Sequence, residues 1–366
     1  MQAAPVKPLS AFAEDLADAS VACVAGRDRA WHEAILQACP SIRGGYSPPR
    51  WARNGHVQNL LTVLRSDYAE PAAWADDERL VMEDGGTVSI QWLGLELPPE
   101  TPVLVVLHTI CGSADASRRT ILALQRELGW VVAACNRRGH AGLPLTAPKI
   151  NTMGSTNDFR AQLAAIAKRR PGAPLYGLGI SAGSGLLVRY LGEARERSRL
   201  RAGVALCPAY DLRDAFLYAH RAYDAYLTRK MVDFFLRRNE AVLGAVDGYA
   251  ECARATSIAE FHDRIHPLAG FSERETYYDQ TNPMAVAGDM QVPILVINSA
   301  DDPVCVKRNV LVHLDRMQQL ERMTLAFTQR GGHCAFFEGP TARECWTDRV
   351  IAEYFVAAHR LLGDEV

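Results

Sequence analysis

The chain lacks any run of about 18 or more apolar residues, so no ordinary transmembrane helix is expected. It lacks a charge imbalance as well. Forty Lys and Arg stand against 42 Asp and Glu, for a net charge of −2. No global field is built to attract nucleic acid, and no nucleic-acid partner is expected. Nine cysteines are scattered over 366 residues with no C-x-x-C and no dense spacing. That odd number in so large a chain speaks against a disulfide framework and for reduced thiols in a cytoplasm. The opening MQAAPVKPLSAFAEDLADAS carries acids where a signal peptide needs a continuous apolar stretch. No internal repeat or low-complexity tract is visible.

What is present is a soluble globular composition, 48% apolar and 22% charged, with ample material for a core. Residues 9–40 read as mostly helical and lead into a loop, SIRGGYSPPRWARNG. Residues 1–78 are therefore expected to form a helical extension packed on a core. Beyond it, short apolar runs at Val103–Leu107, Val131–Cys135, Leu175–Ile180, Ala202–Cys207 and Ile294–Ile297 read as buried strands, with Thr324–Thr328 a weaker candidate. Helical patterns cover Ser117–Leu128, Thr156–Arg169 and Ala182–Arg195. Strand followed by helix, repeated, predicts an α/β fold with a mostly parallel central sheet and helices on both faces. The core is expected over 79–210 and 291–366. Between them, 211–290 has few strand signals. Phe216, Tyr223, Leu227, Met231 and Phe234 recur near helical spacing, which predicts a helical cap insertion over the site.

Gly179-Ile-Ser181-Ala-Gly183 fits G-x-S-x-G and lies between a predicted strand and a predicted helix. A serine on such a sharp turn is held in strained backbone geometry with its hydroxyl exposed. The helix start adds free N–H groups and a partial positive charge. The same residues, Gly177-Leu-Gly179-Ile-Ser-Ala182, also fit a dinucleotide fingerprint. That motif expects an acid about 20 residues onward, and this chain offers Arg199-Leu-Arg201 and then Cys207-Pro208. The nucleophile reading is preferred, and neither a cofactor nor a metal is expected.

A serine needs a histidine to take its proton and a carboxylate to orient that histidine. In an α/β-hydrolase the order is Ser, acid, His. Asn298-Ser-Ala-Asp301-Asp302-Pro303 follows one strand, and Gln329-Arg-Gly-Gly-His333 follows the next. Asp302 is preferred, because two adjacent carboxylates cannot both face one imidazole and Pro303 fixes the turn right after it; Asp301 is the alternative. The expected catalytic set is Ser181, Asp302 and His333. The expected oxyanion donors are the backbone N–H groups of Ala182 and Ile110, with Thr109 as an alternative. His262 and His266, four apart, read as surface or cap-packing residues rather than a metal pair, since the H-E-x-x-H glutamate is missing. Ser155 with Asp158 reads as a helix cap. Asn136-Arg137-Arg138-Gly139-His140 reads as a turn with solvated arginines.

At this point the sequence resembles AB hydrolase family 4, the YheT-like esterases, which include plant embryogenesis-associated hydrolases and mammalian α/β-hydrolase-domain lipases. The anchors run in order from Pro49-Arg-Trp51, Gly55-His-Val-Gln58 and Glu83-Asp-Gly-Gly86 through His108-Thr-Ile-Cys-Gly112 and Asn136-Arg-Arg-Gly139. They continue with the Ser181 motif, Ser257-Ile-Ala-Glu-Phe261, Tyr277-Tyr278, Asp301-Asp-Pro303 and Gly331-Gly-His333 with Glu338-Gly339. The resemblance implies an α/β-hydrolase fold and a metal-independent serine esterase or lipase acting on acyl esters, glycerolipids included. Its triad maps onto Ser181, Asp302 and His333. The family's His-Gly in the oxyanion loop is His108-Thr109 here. The membrane anchor of several animal relatives is not carried over. The expected partner is a small-molecule ester or lipid, with at most transient lipid-surface contact. Acyl transfer with the same triad, or ligand binding without catalysis, are the alternatives.

Overall fold

The computed structural model describes residues 19–65 and 70–363. Its centre is a nine-stranded sheet in the order β1-β9-β8-β7-β6-β4-β5-β3-β2. The strands are β1 (Val21–Ala25), β2 (Asp76–Val81), β3 (Thr87–Leu93), β4 (Val103–Leu107), β5 (Val131–Asn136), β6 (Leu175–Ile180), β7 (Leu200–Leu206), β8 (Ile294–Ser299) and β9 (Met323–Thr328). The six from β4 to β9 run parallel, and β1, β2 and β3 pair antiparallel at the two edges. β4, β5, β6, β8 and β9 are buried along their whole length, as parallel strands covered on both faces must be.

The longer helices are α1 (Arg29–Ala38), α2 (Gly55–Arg65), α3 (Arg118–Leu128), α4 (Thr156–Arg169), α5 (Ala182–Ala194), α6 (Arg221–Met231), α7 (Ile258–Arg264), α8 (Arg274–Thr281) and α9 (Trp346–Gly363). One face of the sheet is covered by α4 and α5, through Phe159, Leu163, Leu187 and Leu191. The other is covered by α1, α3 and α9, through Ile35, Ile121, Leu124 and Phe355. Residues 211–290 hold α6, α7, α8 and short turns but no strand. They gather a separate apolar cluster around Phe235, Leu236, Phe261 and Tyr277. No helix among the described residues is long and apolar enough to cross a membrane.

Three expectations need correcting. Residues 9–40 are not mostly helical: β1 lies at 21–25 and pairs with β9, from Val21 opposite Thr328 to Ala25 opposite Thr324. Residues 9–18 lie outside the described residues. Val-Ala-Cys-Val-Ala is too short and small to show a period by itself. The arginines after β5 are not solvated either, since Arg137 and Arg138 are both buried. Arg138 Nε donates to Asp158 Oδ2 at 2.6 Å, and its Nη1 to Asp84 Oδ2 at 2.6 Å. Asp158 is thus drawn away from capping α4. Ser155 makes no side-chain cap; its Oγ accepts from the Thr152 N–H at 2.8 Å.

β3 escaped the sequence pattern because Ser89 and Gln91 interrupt its apolar residues. Both are buried, and both are satisfied. Asn136 Nδ2 donates to Gln91 Oε1 at 3.0 Å, and Gln162 Nε2 donates to the Ser89 and Asn136 carbonyls at 2.9 and 3.0 Å. A buried polar set of this kind is tolerated when its members are paired.

Arg138→Ala is expected to lower unfolding stability by about 3 kcal/mol, because it strands the largely buried Asp158 carboxylate. Urea denaturation measures this. A loss below about 1 kcal/mol would reduce the cluster to the rank of a surface ion pair.

Candidate active site

Ser181 sits between β6 and α5 with φ 54° and ψ −116°. A non-glycine residue seldom adopts that conformation. The strain is maintained by packing on both sides. The Ser181 N–H donates to the Leu206 carbonyl at 2.9 Å. Ser184 Oγ donates to the Gly179 carbonyl at 2.7 Å. The two glycines of the motif are needed for close approach rather than for their dihedrals. A Cβ on Gly183 would collide with the Leu107 carbonyl, and one on Gly179 would lie 2.5 Å from Ser184 Cα.

The structure brings Ser181, His333 and Asp302 together. Ser181 Oγ lies 2.7 Å from His333 Nε2. His333 Nδ1 lies 2.8 Å from Asp302 Oδ2. Read as a chain, the serine hydroxyl donates to Nε2, and Nδ1–H donates to the carboxylate. Asp302 is fixed in turn, since its Oδ1 accepts the N–H groups of Val304 and Cys305 at 2.8 and 2.9 Å. Asp301 points elsewhere and pairs with Arg330 at 3.1 Å.

Two supports of this arrangement were not singled out from the sequence. The His333 N–H donates to Asn59 Oδ1 at 2.7 Å. Asn59 lies on α2, whose first residue, Gly55, wedges between the Asp and His loops; a Cβ there would strike the Asp301 carbonyl. Gln58 binds the same loop, accepting the Phe337 N–H at 2.8 Å. The Gly55–Gln58 segment was visible as a family anchor, but nothing local showed which loops it clamps.

The second support is Arg137. Arg137 is buried and has no carboxylate partner among the described residues; its Nη2 donates to the carbonyls of Thr109 and Ile110 at 2.6 and 3.1 Å. His108 accepts the Arg137 N–H on Nε2 at 3.3 Å, so its Nδ1–H is the donor to the Thr109 carbonyl at 2.8 Å. The Thr109 carbonyl and the Ile110 N–H belong to one planar trans peptide and point in opposite directions. Pinning the carbonyl on Arg137 therefore aims the Ile110 N–H the other way. Ile110 and Ala182 line the same cavity as Ser181. Among the described residues, no backbone carbonyl takes the N–H of either. Burial, then the charge of Arg137, holds His108 well below its ordinary pKa; the same two causes bring neighbouring His140 down to about 3. Both rings are neutral at physiological pH. Burial also lowers Arg137 itself to about 10.

The cavity at Ser181 has a volume of about 430 Å³. Phe216, Leu227, Met231, Ile258 and Val304 give it apolar walls, and no Asp or Glu is among its lining residues. His262 lines it from α7 with its ring stacked on Phe216 and its Nδ1 2.8 Å from the Tyr277 hydroxyl. His266 Nδ1 meets the Phe271 carbonyl at 3.2 Å instead. Both histidines therefore pack within the cap segment. Two groups of atoms with ligand chemistry, Cys207–His333–Cys334 and Asp302–Cys305–His333, each fall within 4.8 Å. Both depend on His333, whose two nitrogens already face Ser181 and Asp302.

A parallel sheet whose strand ends carry a strained serine, a carboxylate loop and a histidine loop defines an α/β-hydrolase. The fold matches a solved fungal esterase from Rhizomucor miehei with a TM-score of 0.53 at 15% identity, over 86% of this chain and 92% of that one. The family described as Serine aminopeptidase, S33 (Hydrolase_4) matches residues 98–340, and the chain belongs to it. The chain is 26% identical to "Monoacylglycerol lipase ABHD2" of Danio rerio over 355 residues, covering 90% of this chain and 82% of the relative. It is 27% identical to "Embryogenesis-associated protein EMB8" of Picea glauca over 368 residues, covering 93% and 80%. The resemblance drawn from the sequence anchors is thereby borne out.

Asp302→Asn is expected to lower turnover of p-nitrophenyl butyrate by about 10⁴-fold, through the wrong imidazole tautomer. Asp301→Asn should leave it within a few-fold. Equal losses in the two variants would dissolve the distinction between them. Asn59→Ala is expected to lower kcat by up to about 100-fold with KM little changed, by letting the imidazole drift. Steady-state kinetics on the folded variant checks this.

Proposed function

We propose that this hydrolase of the esterase and lipase type cleaves carboxylic esters with an apolar acyl group, through an acyl-enzyme on Ser181. The observation that carries the reading is the 2.7 and 2.8 Å relay from Ser181 through His333 to Asp302, facing a cavity with apolar walls. His333 Nε2 takes the hydroxyl proton as Ser181 Oγ attacks the ester carbonyl. Asp302 holds the ring in the productive tautomer and stabilises the imidazolium. The developing oxyanion rests on the N–H groups of Ala182 and Ile110, the latter aimed by Arg137. Each such donor is worth about 3 kcal/mol of transition-state stabilisation. His333 then protonates the leaving alcohol. Water, deprotonated by the same ring, releases the acid and restores Ser181.

The lining chemistry favours esters over the free-amine peptides that the family description evokes. An aminopeptidase must hold an α-ammonium, and a buried cation needs an anionic partner. The cavity offers Lys230, His56 and His262 but no carboxylate. An ester brings no charge to its reacting centre. Residues 211–290 supply Phe216, Leu227 and Ile258 to the walls, which supports their role as a cap over an acyl group. Leu60, Val63 and Tyr226 are exposed at the same cavity, which supports transient contact with a lipid surface. The nine free cysteines support residence in a reducing cytoplasm.

Ser181→Ala is expected to lower ester turnover by about 10⁶-fold if the three groups act as a unit, and to abolish labelling by a fluorophosphonate. Near-normal turnover in that variant would remove Ser181 from the mechanism. Added methanol or glycerol with product analysis separates hydrolysis from acyl transfer. Absence of any label on the native enzyme would favour a binding protein.

A further inference from the structure

The cavity at Ser181 does not end in continuous core. Two of its walls, Met153 and Ala209, are also walls of a second cavity of about 40 Å³. This one lies between α5 and the sheet, bounded by Val188 of α5, Ala205 of β7, Val296 of β8 and Ala287. Its surroundings are almost wholly apolar. Tyr210 borders it, but its hydroxyl is turned to Asn298 Oδ1 at 2.7 Å. Arg316 borders it from an exposed position. A narrow, almost wholly apolar space of this kind offers few polar partners to hold a water and suits hydrocarbon.

The walls are unusually deformable. The chain has eight methionines, and four of them (Met153, Met284, Met290 and Met317) line this one small space. Methionine is unbranched and flexible, the residue that adapts to irregular or changing contents. A void that served packing alone would be filled by a branched residue, because empty core volume costs stability. The partition is also specific. The Met153 thioether rests on Gly185, in the first turn of α5, where any Cβ would collide with its sulfur. Met153 faces both cavities, so a change in its rotamer alters the boundary they share.

We propose that the second cavity is the terminal acyl subsite. The methyl end of a long saturated chain, esterified at Ser181, displaces Met153 and lies under α5 among the methionines. Short acyl groups stay in the first cavity. The inference rests on the acyl-enzyme reading above and extends it to substrate class, namely long-chain acyl esters with a chain site buried in the core rather than under the cap.

The test uses the full chain with p-nitrophenyl butyrate and p-nitrophenyl myristate. Val188→Phe and Ala287→Leu fill the second cavity without touching the relay. They are expected to leave kcat/KM for butyrate within about twofold and to lower that for myristate by about tenfold or more. Met153→Ala, which opens the partition, is expected to raise the myristate-to-butyrate ratio. An unchanged ratio in all three variants overturns the proposal. A measurement that needs no variant decides the matter should the filled proteins fold poorly: the crystal structure of the native enzyme after reaction with a long-chain alkyl fluorophosphonate. An alkyl tail between α5 and β8 is expected, and a tail against Phe216 and Leu227 overturns the subsite. A short-chain fluorophosphonate run in parallel separates the two readings. If it labels Ser181 while the long tail lies elsewhere, only the subsite fails; if neither reagent labels Ser181, both readings fail.

Discussion

The constraint on which the site depends is the closeness of the α5 N-terminus to the ends of β4 and β7. Gly183 lies so near the Leu107 carbonyl that no side chain fits, and the Ser181 N–H is held by Leu206. The serine backbone has nowhere to relax, so its positive φ is retained. The same closeness brings the loop after β4 beside Ser181. Loosening α5 by the width of a methyl group would both free the serine and separate it from Ile110. Strain at the serine and the position of the neighbouring N–H group are therefore one geometric fact.

Around that fixed point, the other loops are set by groups that never meet the reacting atoms. Arg137 turns the Thr109–Ile110 peptide from behind, and Asn59 holds the backbone of His333 from the side. Both work by holding backbone atoms of the loops, Arg137 from outside the cavity and Asn59 from its wall. A buried guanidinium facing carbonyls is costly, and here its cost is offset by two hydrogen bonds to the loop it orients.

The parts of this arrangement that were legible in sequence are those with local signals. Ser181 had its strand, turn and helix within a few residues. Asp302 and His333 each followed an apolar strand in the expected order, and Pro303 helped to choose between two adjacent acids. The six parallel strands were readable because burial on both faces demands continuous apolar runs. The edge strands were not. β2 is acidic and exposed, β3 hides Ser89 and Gln91 in a satisfied network, and β1 is five small residues whose partner lies some 300 positions away. Arg137 and Arg138 looked like surface residues because nothing nearby in sequence announces Asp84, Asp158 or the Thr109 carbonyl. Asn59 was invisible for the same reason. Its meaning comes only from a loop that the fold brings to it.

The pairing of β1 with β9 bears on how the molecule is made. β9 leads directly into the loop carrying His333, and the Gln329 N–H beyond its end donates to the Ser20 carbonyl at 3.1 Å. The strand that presents the imidazole thus finds its outer neighbour in almost the first described stretch of chain. A ribosome delivers residue 181 well before residue 333, and domains fold as their segments emerge. Throughout that interval Ser181 has no imidazole beside it, and β1 has no strand to pair with. The relay proposed for Ser181 is therefore incomplete in the nascent polypeptide until β9 and the loop beyond it have joined the sheet.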